Sequence, residues 1–256
     1  MTMTKKEILY IMETTKDPFI EAKMMNIWPI EGHREDSLIF TGLTKLTEPA
    51  AQALKARVKR ISRDEEDWFY GGALTIEFPD LKELPDNVAR KLARLCAPET
   101  LQLSLEMRSL VYLSDVAARA IASTDWYNLN LPSASGISEK ALTIIAKAKV
   151  MNYLGLYIPS DISSEVIEQF QQNSYAALGL DIGELTTESA EALSGIESSL
   201  SLIASEISTK DADILKGSVC ESLSIQAGYQ TSNEALAVLS ESRRGIVEDE
   251  QFYSDD

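Results

Sequence analysis

The sequence predicts an α/β fold in which about eight strand–helix repeats form a right-handed solenoid, with short parallel strands on one face and helices on the other. Three features support this. A Leu-x-Leu-like pair recurs along the chain, and a Ser or Thr residue usually follows it. Apolar residues then recur four and seven positions after that hydroxyl residue. The hydroxyl position recurs every 22 to 38 residues, mostly every 22 to 29, which is typical of a solenoid. Its members are Thr47, Pro85 (a substitution), Ser114, Ser138, Ser163, Thr186, Ser208 and Thr231.

The Leu-x-Leu pairs predict short strands, because side chains two positions apart lie on the same face of a strand. The third repeat leaves two pairs open, Leu101/Leu103 and Leu103/Leu105. A shift of two residues would keep the apolar face inward, whereas a shift of one would not. The other pairs are Leu38/Phe40, Leu74/Ile76, Leu129/Leu131, Leu154/Leu156, Leu178/Leu180, Leu200/Leu202 and Leu223/Ile225.

The hydroxyl column predicts the start of a helix, since Ser and Thr side chains accept hydrogen bonds from backbone N–H groups of the first turn. The residues four and seven positions later share one helix face. Four positions on stand Ala51, Ala89, Ala118, Leu142, Ile167, Ala190, Ala212 and Ala235. Seven positions on stand Leu54, Leu92, Ile121, Ile145, Phe170, Leu193, Leu215 and Val238.

This repeat resembles the leucine-rich repeat superfamily over roughly residues 37–240, in an atypical, bacterial-type form. The resemblance implies alternating strands and helices. Leucine-rich repeats usually carry Asn or Cys after the strand, where the side chain joins successive loops in a ladder. No such column is present here, so the loop hydrogen bonds and the curvature stay open. The positions just past the strands hold Gly42, Pro79, Ser133, Pro159, Gly183 and Ala227.

Three segments lie outside the regular repeat. Residues 1–36 are predicted to cap the solenoid, with a degenerate extra repeat or an interaction helix as alternatives. An insertion at about 59–72 contains Trp68 and Tyr70, and insertions of this kind form surface loops that are often functional. The alternative is that its aromatic residues pack over neighbouring layers. Residues 241–256 are predicted to be an acidic C-terminal tail or cap.

The chain is acidic, and the charge is uneven. Its 256 residues carry 40 acidic and 24 basic side chains, a net charge of −16. Residues 1–128 contribute −3 and residues 129–256 contribute −13. Such a field repels nucleic acids and anionic membranes and attracts basic partners, although acidity also serves solubility. We therefore expect a protein partner, with a basic one favoured, and no nucleic acid or membrane; the oligomeric state stays open.

The sequence also predicts a cytoplasmic protein. No charge-free apolar stretch approaches the roughly 18 residues of a membrane helix, and the N-terminal apolar run is too short for a secretory signal. Cys96 and Cys220 lie about six repeats apart, or about 30 Å in stacked strands, too far for a disulfide. Two free thiols suit a reducing compartment.

No catalytic, cofactor or metal motif is found. His33 is the only histidine, and it has no cysteine nearby for a structural zinc site. A Ser–His or Cys–His nucleophile would have to use His33, and no nucleophile motif occurs. Phosphate-loop and dinucleotide motifs are likewise not found. We expect no enzyme, no cofactor and no metal.

The outward-facing strand residues are the better candidates for function. The aligned central column reads Ile39, Thr75, Gln102, Asn130, Gly155, Gly179, Ser201 and Ser224. Tyrosine offers a large amphipathic contact at low entropic cost, although a solvated sheet face would also be polar. The candidate binding residues are Asn128, Asn130, Tyr153, Tyr157 and Asp181 on the strand face, and Trp68 and Tyr70 in the insertion.

These features predict a non-catalytic protein–protein interaction scaffold that binds through its exposed strand face. One alternative is an inhibitor or immunity-type protein whose acidic half covers a basic enzyme. A second is a carbohydrate- or peptide-binding module, which requires tyrosines stacked in a groove. An enzyme would require a pocket lined by Asn130, Tyr157 and Asp181.

Overall fold

A computed structural model describes residues 35–40, 42–48, 50–52, 54, 55, 58, 73–95, 102–159, 163–173, 175–228, 230–241 and 245–249. They belong to two compact units divided between Met151 and Asn152, here the first and the second unit. Several predictions fall on residues outside the described ranges. These are residues 1–34 of the cap predicted over 1–36, the insertion at 59–72, His33, Trp68, Tyr70 and Cys96. The last two residues of the predicted cap, 35 and 36, instead belong to the first strand.

The first unit alternates parallel strands with helices. Its strands lie side by side in chain order. Helical residues between 48 and 58 precede the second strand, and a helix follows each later strand. The strands are β1 (Glu35–Ile39), β2 (Ala73–Glu77), β3 (Gln102–Glu106) and β4 (Trp126–Leu131), and the helices are α1 (Asp86–Leu92), α2 (Asp115–Ala122) and α3 (Glu139–Ala146).

The second unit repeats this arrangement, again with parallel strands in chain order. Its strands are β5 (Val150–Ile158), which begins just before the boundary, β6 (Ala177–Glu184), β7 (Ser199–Glu206), β8 (Leu223–Ala227) and β9 (Gly245–Asp249). Its helices are α4 (Ser164–Gln171), α5 (Thr187–Ser194), α6 (Thr209–Lys216) and α7 (Asn233–Ser240). The predicted α/β alternation of parallel strands and helices is therefore confirmed, and β9 adds a strand within residues 241–256.

The predicted apolar columns form the core. In the third repeat Leu103 and Leu105 are both buried within β3, and Leu101 lies outside the described residues. Register places Leu105 beside Leu129, so the two predicted pairs began four and two residues too early. Every other predicted Leu-x-Leu pair is buried too, as is every residue of the column four positions after the hydroxyl. Fully burying a leucine, isoleucine or phenylalanine side chain contributes about 1.5–3 kcal/mol, so the repeated large apolar residues contribute substantially to stability.

The register of the first unit differs from the sequence alignment. Leu38 lies beside Ile76, and Ile76 lies beside Leu105. Aligning the repeats of this chain on their leucine pairs instead placed Leu74 in the column of Leu38, so β2 was displaced by two residues. Side-chain direction has a period of two, so this error left the buried face correct and changed only which residues lie side by side.

Most helices begin at the predicted hydroxyl. Ser114 and Ser138, for example, accept hydrogen bonds from the third residue of their helices. The eighth repeat was wrong by one residue, because Ser232 caps α7. Thr231 is buried instead, and its Oγ1 accepts from the Ile207 backbone N–H at 3.1 Å. Leu239 consequently faces the core in place of Val238.

Hydrogen bonds at the helix N-termini tie neighbouring repeats together. The Ser114 hydroxyl donates to Asp86, at the start of the preceding helix. The Ser138 hydroxyl donates to Asp115 Oδ1 at 2.8 Å in the same way. Within the second unit, Thr187 Oγ1 donates to Asp211 Oδ1 at 2.8 Å. These bonds are polar contacts between neighbouring repeats.

Candidate binding face

In the first unit, one outward-facing row crosses all four strands. Register places Ile39, Glu77, Glu106 and Asn130 at the same level, and we call them the Glu106 row. The predicted column had Thr75 and Gln102 in the positions of the two glutamates. That prediction was wrong because the leucine alignment displaced β2 by two residues and β3 by four. The corrected row contains two carboxylates on adjacent strands.

The two carboxylates of the Glu106 row share one cation. Glu106 Oε1 accepts from Arg108 Nε at 2.7 Å, while Glu77 Oε2 lies 3.9 Å from the Arg108 guanidinium. Both glutamate side chains are only 18% exposed. Burial, reinforced by the charge of Glu106, raises the pKa of Glu77, and Arg108 offsets this only in part. The row thus places two carboxylates against a single guanidinium.

The two asparagines predicted as binding residues bond to the neighbouring strand. Asn130 Nδ2 donates to Glu106 Oε1 at 3.1 Å. Asn128 Nδ2 donates to Ser104 Oγ, also at 3.1 Å, and Ser104 is buried. Both amides thus form a side-chain ladder from β4 to β3, a structural role in addition to any contact with a partner.

In the second unit, three predicted residues lie close together. Tyr157 and Asp181 are at the same level on β5 and β6, and Asp181 is level with Ile203 on β7. We call these three residues the Asp181 row. Tyr153 occupies the same face one level earlier, opposite Ala177. The grouping of Tyr153, Tyr157 and Asp181 on one face agrees with the sequence alignment.

Both tyrosines lean diagonally across β6. A Cβ atom on Gly179 would lie 2.0 Å from Tyr153 Oη and 2.7 Å from its Cζ, so the Tyr153 ring lies directly over this glycine. A Cβ atom on Gly183 would lie 3.5 Å from Tyr157 Oη. Glycine at these positions lets the aromatic side chains approach the neighbouring backbone. Tyr153 therefore packs on the sheet and does not stand free of it.

Asp181 is the unusual member of its row. Its side chain is half-buried, and burial raises the pKa of the carboxyl group. Within the described part of the chain it has no hydrogen-bond or ion-pair partner. Removing a charged group from water without pairing it is unfavourable. Ile203, on the next strand, is 42% exposed and adds an apolar surface beside the carboxylate.

The sequence of the second unit carries a large negative charge. Residues 152–256 contain 19 acidic and 4 basic side chains, a net charge of −15. Residues 1–151 contain 21 acidic and 20 basic side chains, a net charge of −1. Nearly all of the excess charge of the chain thus belongs to the second unit, where it raises the local concentration of positively charged groups.

Other chemistry is sparse among the described residues. They contain no group of three or more His, Cys, Asp or Glu side chains placed to hold a metal ion. No helix within the described ranges is both long and apolar enough to cross a membrane. Cys220 is a buried free thiol, with its Sγ 3.1 Å from Ser218 Oγ. An open recess of about 290 Å³, whose walls include Phe170, Tyr175 and Glu197, contains none of the predicted site residues.

Sequence reasoning missed the glutamates of the Glu106 row, although a signal for them exists. Each member of that row stands eight positions before the hydroxyl column of its own repeat. Counting back from the helix start, instead of aligning the leucines, therefore finds Glu77 and Glu106. This spacing holds in the first unit alone: eight positions before Ser163 and Thr186 stand Gly155 and Leu178, which do not lie side by side.

Comparison with known proteins gives no relative from which to transfer a function. No protein-family model matches this chain, and no curated protein matches its sequence.

Proposed function

We propose that this chain is a non-catalytic protein–protein interaction scaffold that binds a partner protein on its outward strand face, mainly in the second unit. The observation that carries this proposal is Asp181, a half-buried carboxylate without a partner among the described residues, set between Tyr157 and Ile203. Protein interfaces combine aromatic and apolar anchors with a few placed polar groups. A complex would complete the pairing that Asp181 lacks.

The partner is proposed to be basic. The net charge of −15 in residues 152–256 favours a positively charged protein and disfavours nucleic acid and anionic membranes. We place the scaffold with atypical leucine-rich repeat proteins, on the strength of the repeat columns. A cytoplasmic location is also proposed, since the buried free thiol of Cys220 suits a reducing compartment.

A narrower version of this function is an inhibitor or immunity-type protein for a basic enzyme. The concentration of acidic residues in the second unit favours that version. A carbohydrate-binding role receives less support, because the Tyr153 ring packs over Gly179 and so does not form the wall of an open groove.

Retention of a partner from native cell extract tests the proposed function. The wild-type protein would be immobilised beside Tyr153→Ala/Tyr157→Ala and beside Tyr112→Ala, a control on a loop where the tyrosine is 55% exposed. We expect the wild type and the control to retain a stoichiometric protein at low salt. The double variant should lose it, and high salt should weaken it. Equal retention by the folded double variant would contradict the use of this face.

A further inference from the structure

Building on the proposed function, we propose that the Asp181 row is a subsite for a single arginine side chain of the basic partner. The guanidinium would pair with the Asp181 carboxylate, between the Tyr157 ring and the Ile203 side chain. The guanidinium is thus the group of the partner that would contact the strand face.

The geometry of the row suits one such side chain. Tyr157, Asp181 and Ile203 lie at the same level on three successive parallel strands, and neighbouring strands are about 4.8 Å apart. Their side chains leave the sheet on the same face, so the carboxylate stands in the middle with an aromatic and an aliphatic neighbour. Tyr157 reaches across β6 towards Gly183, which brings its ring alongside Asp181.

A guanidinium fits these surroundings better than an ammonium group. Guanidinium is planar, pairs with a carboxylate through two parallel hydrogen bonds and stacks on aromatic rings. It is also more weakly hydrated than the ammonium of lysine, so it loses less on leaving water beside Ile203. A lysine would gain the ion pair alone and would give up a stronger hydration shell.

No cation of the described second unit competes for Asp181. Its described basic side chains, Lys210 and Lys216, both belong to helix α6. Lys216 Nζ pairs with Glu241 Oε2 at 2.6 Å. Burial raises the pKa of the Asp181 carboxyl group, as expected for an acid that no cation stabilises. The strand face thus presents an uncompensated carboxylate to an incoming guanidinium.

Two peptides of equal charge test the proposal on the purified full-length chain. Nona-arginine and nona-lysine would be titrated by calorimetry into wild type, Asp181→Asn and Asp213→Asn. Asp213 is exposed on helix α6, so its substitution removes the same charge from the same unit outside the strand face. We expect Asp181→Asn to weaken nona-arginine binding about tenfold and Asp213→Asn less than about twofold. Nona-lysine should bind more weakly and distinguish the two variants less.

A second readout follows the carboxyl group itself. The ¹³C shift of the Asp181 carboxyl carbon reports its pKa, which should fall when nona-arginine binds. Equal weakening by Asp181→Asn and Asp213→Asn, equal effects on both peptides, or an unchanged Asp181 pKa would overturn the subsite. These results are separable from the proposed function, because retention of the native partner by wild type and its loss by the tyrosine variant require no arginine specificity.

Discussion

Gly179→Ala is the substitution that tests the packing of the strand face most directly. The new methyl carbon would lie 2.0 Å from Tyr153 Oη, 2.7 Å from Cζ and 3.0 Å from Cε2. Carbon atoms in ordinary contact stand about 3.5–4.0 Å apart, so the Tyr153 ring has to leave its position. The backbone of β6 has no need to move, because only the end of a side chain obstructs the methyl group.

The expected cost follows from two opposing effects. Overpacking of this kind costs about 1–3 kcal/mol. Replacing glycine by alanine also restricts the unfolded chain, which returns about 0.4–1 kcal/mol. We therefore expect Gly179→Ala to lower the free energy of unfolding by about 1 kcal/mol.

A double-mutant cycle isolates the clash. Wild type, Gly179→Ala, Tyr153→Ala and the double variant would be unfolded in urea and followed by circular dichroism. In the Tyr153→Ala background nothing obstructs the new methyl group, so Gly179→Ala should cost nothing or stabilise slightly. The coupling between the two sites should be about 1–2 kcal/mol.

Gly183→Ala provides the matched control on the same strand. Its methyl group would stand 3.5 Å from Tyr157 Oη, an ordinary contact, so this variant should be tolerated. If Gly179→Ala were tolerated equally well in both tyrosine backgrounds, the ring would not lie over Gly179, and our description of this face would be refuted.

Three further substitutions test other parts of the molecule by urea unfolding. Burial raises the pKa of Asp181, so the folded chain holds that proton to a higher pH than the unfolded chain does. Asp181→Asn should therefore be more stable than wild type at pH 7, with the gain vanishing below about pH 4; a gain independent of pH would contradict this. Ser138→Ala removes both a helix cap and the hydrogen bond to Asp115, and should cost about 1–2 kcal/mol, whereas no loss would show that these hydrogen bonds at the helix N-terminus do not stabilise the fold. Trp126→Phe leaves a cavity and removes the 2.9 Å hydrogen bond from the indole to the Ile121 carbonyl, so we expect a loss of about 2 kcal/mol; an unchanged midpoint would show that the site repacks.

The alternation of strands and helices could be predicted from sequence because each element carries its own periodic signal. Leu178 and Leu180 mark a strand by their spacing of two, and Ala190 and Leu193 mark the following helix by their offset from Thr186. All four apolar side chains are buried. Whether a strand residue is buried depends only on the face of the sheet that it occupies. Aligning the repeats with an error of two residues therefore still identifies the core residues correctly.

The candidate site could be predicted only in part, because function depends on which side chains lie side by side. In the second unit the leucine alignment happened to be in register, and it brought Tyr157 level with Asp181. In the first unit the same method was two residues out and missed the pairing of Glu77 with Glu106. Hydrophobicity does not distinguish the two registers. The lack of a partner for Asp181 is a property of tertiary packing, which no local pattern encodes.

Site-specific photocrosslinking in living cells would test most directly whether the strand face binds the partner. A benzophenone amino acid would replace Tyr157 in one variant and Glu191, exposed on helix α5, in another. We expect a partner adduct from position 157 and none from position 191. An adduct from position 191 alone would place the partner on the helices and contradict binding through the Asp181 row.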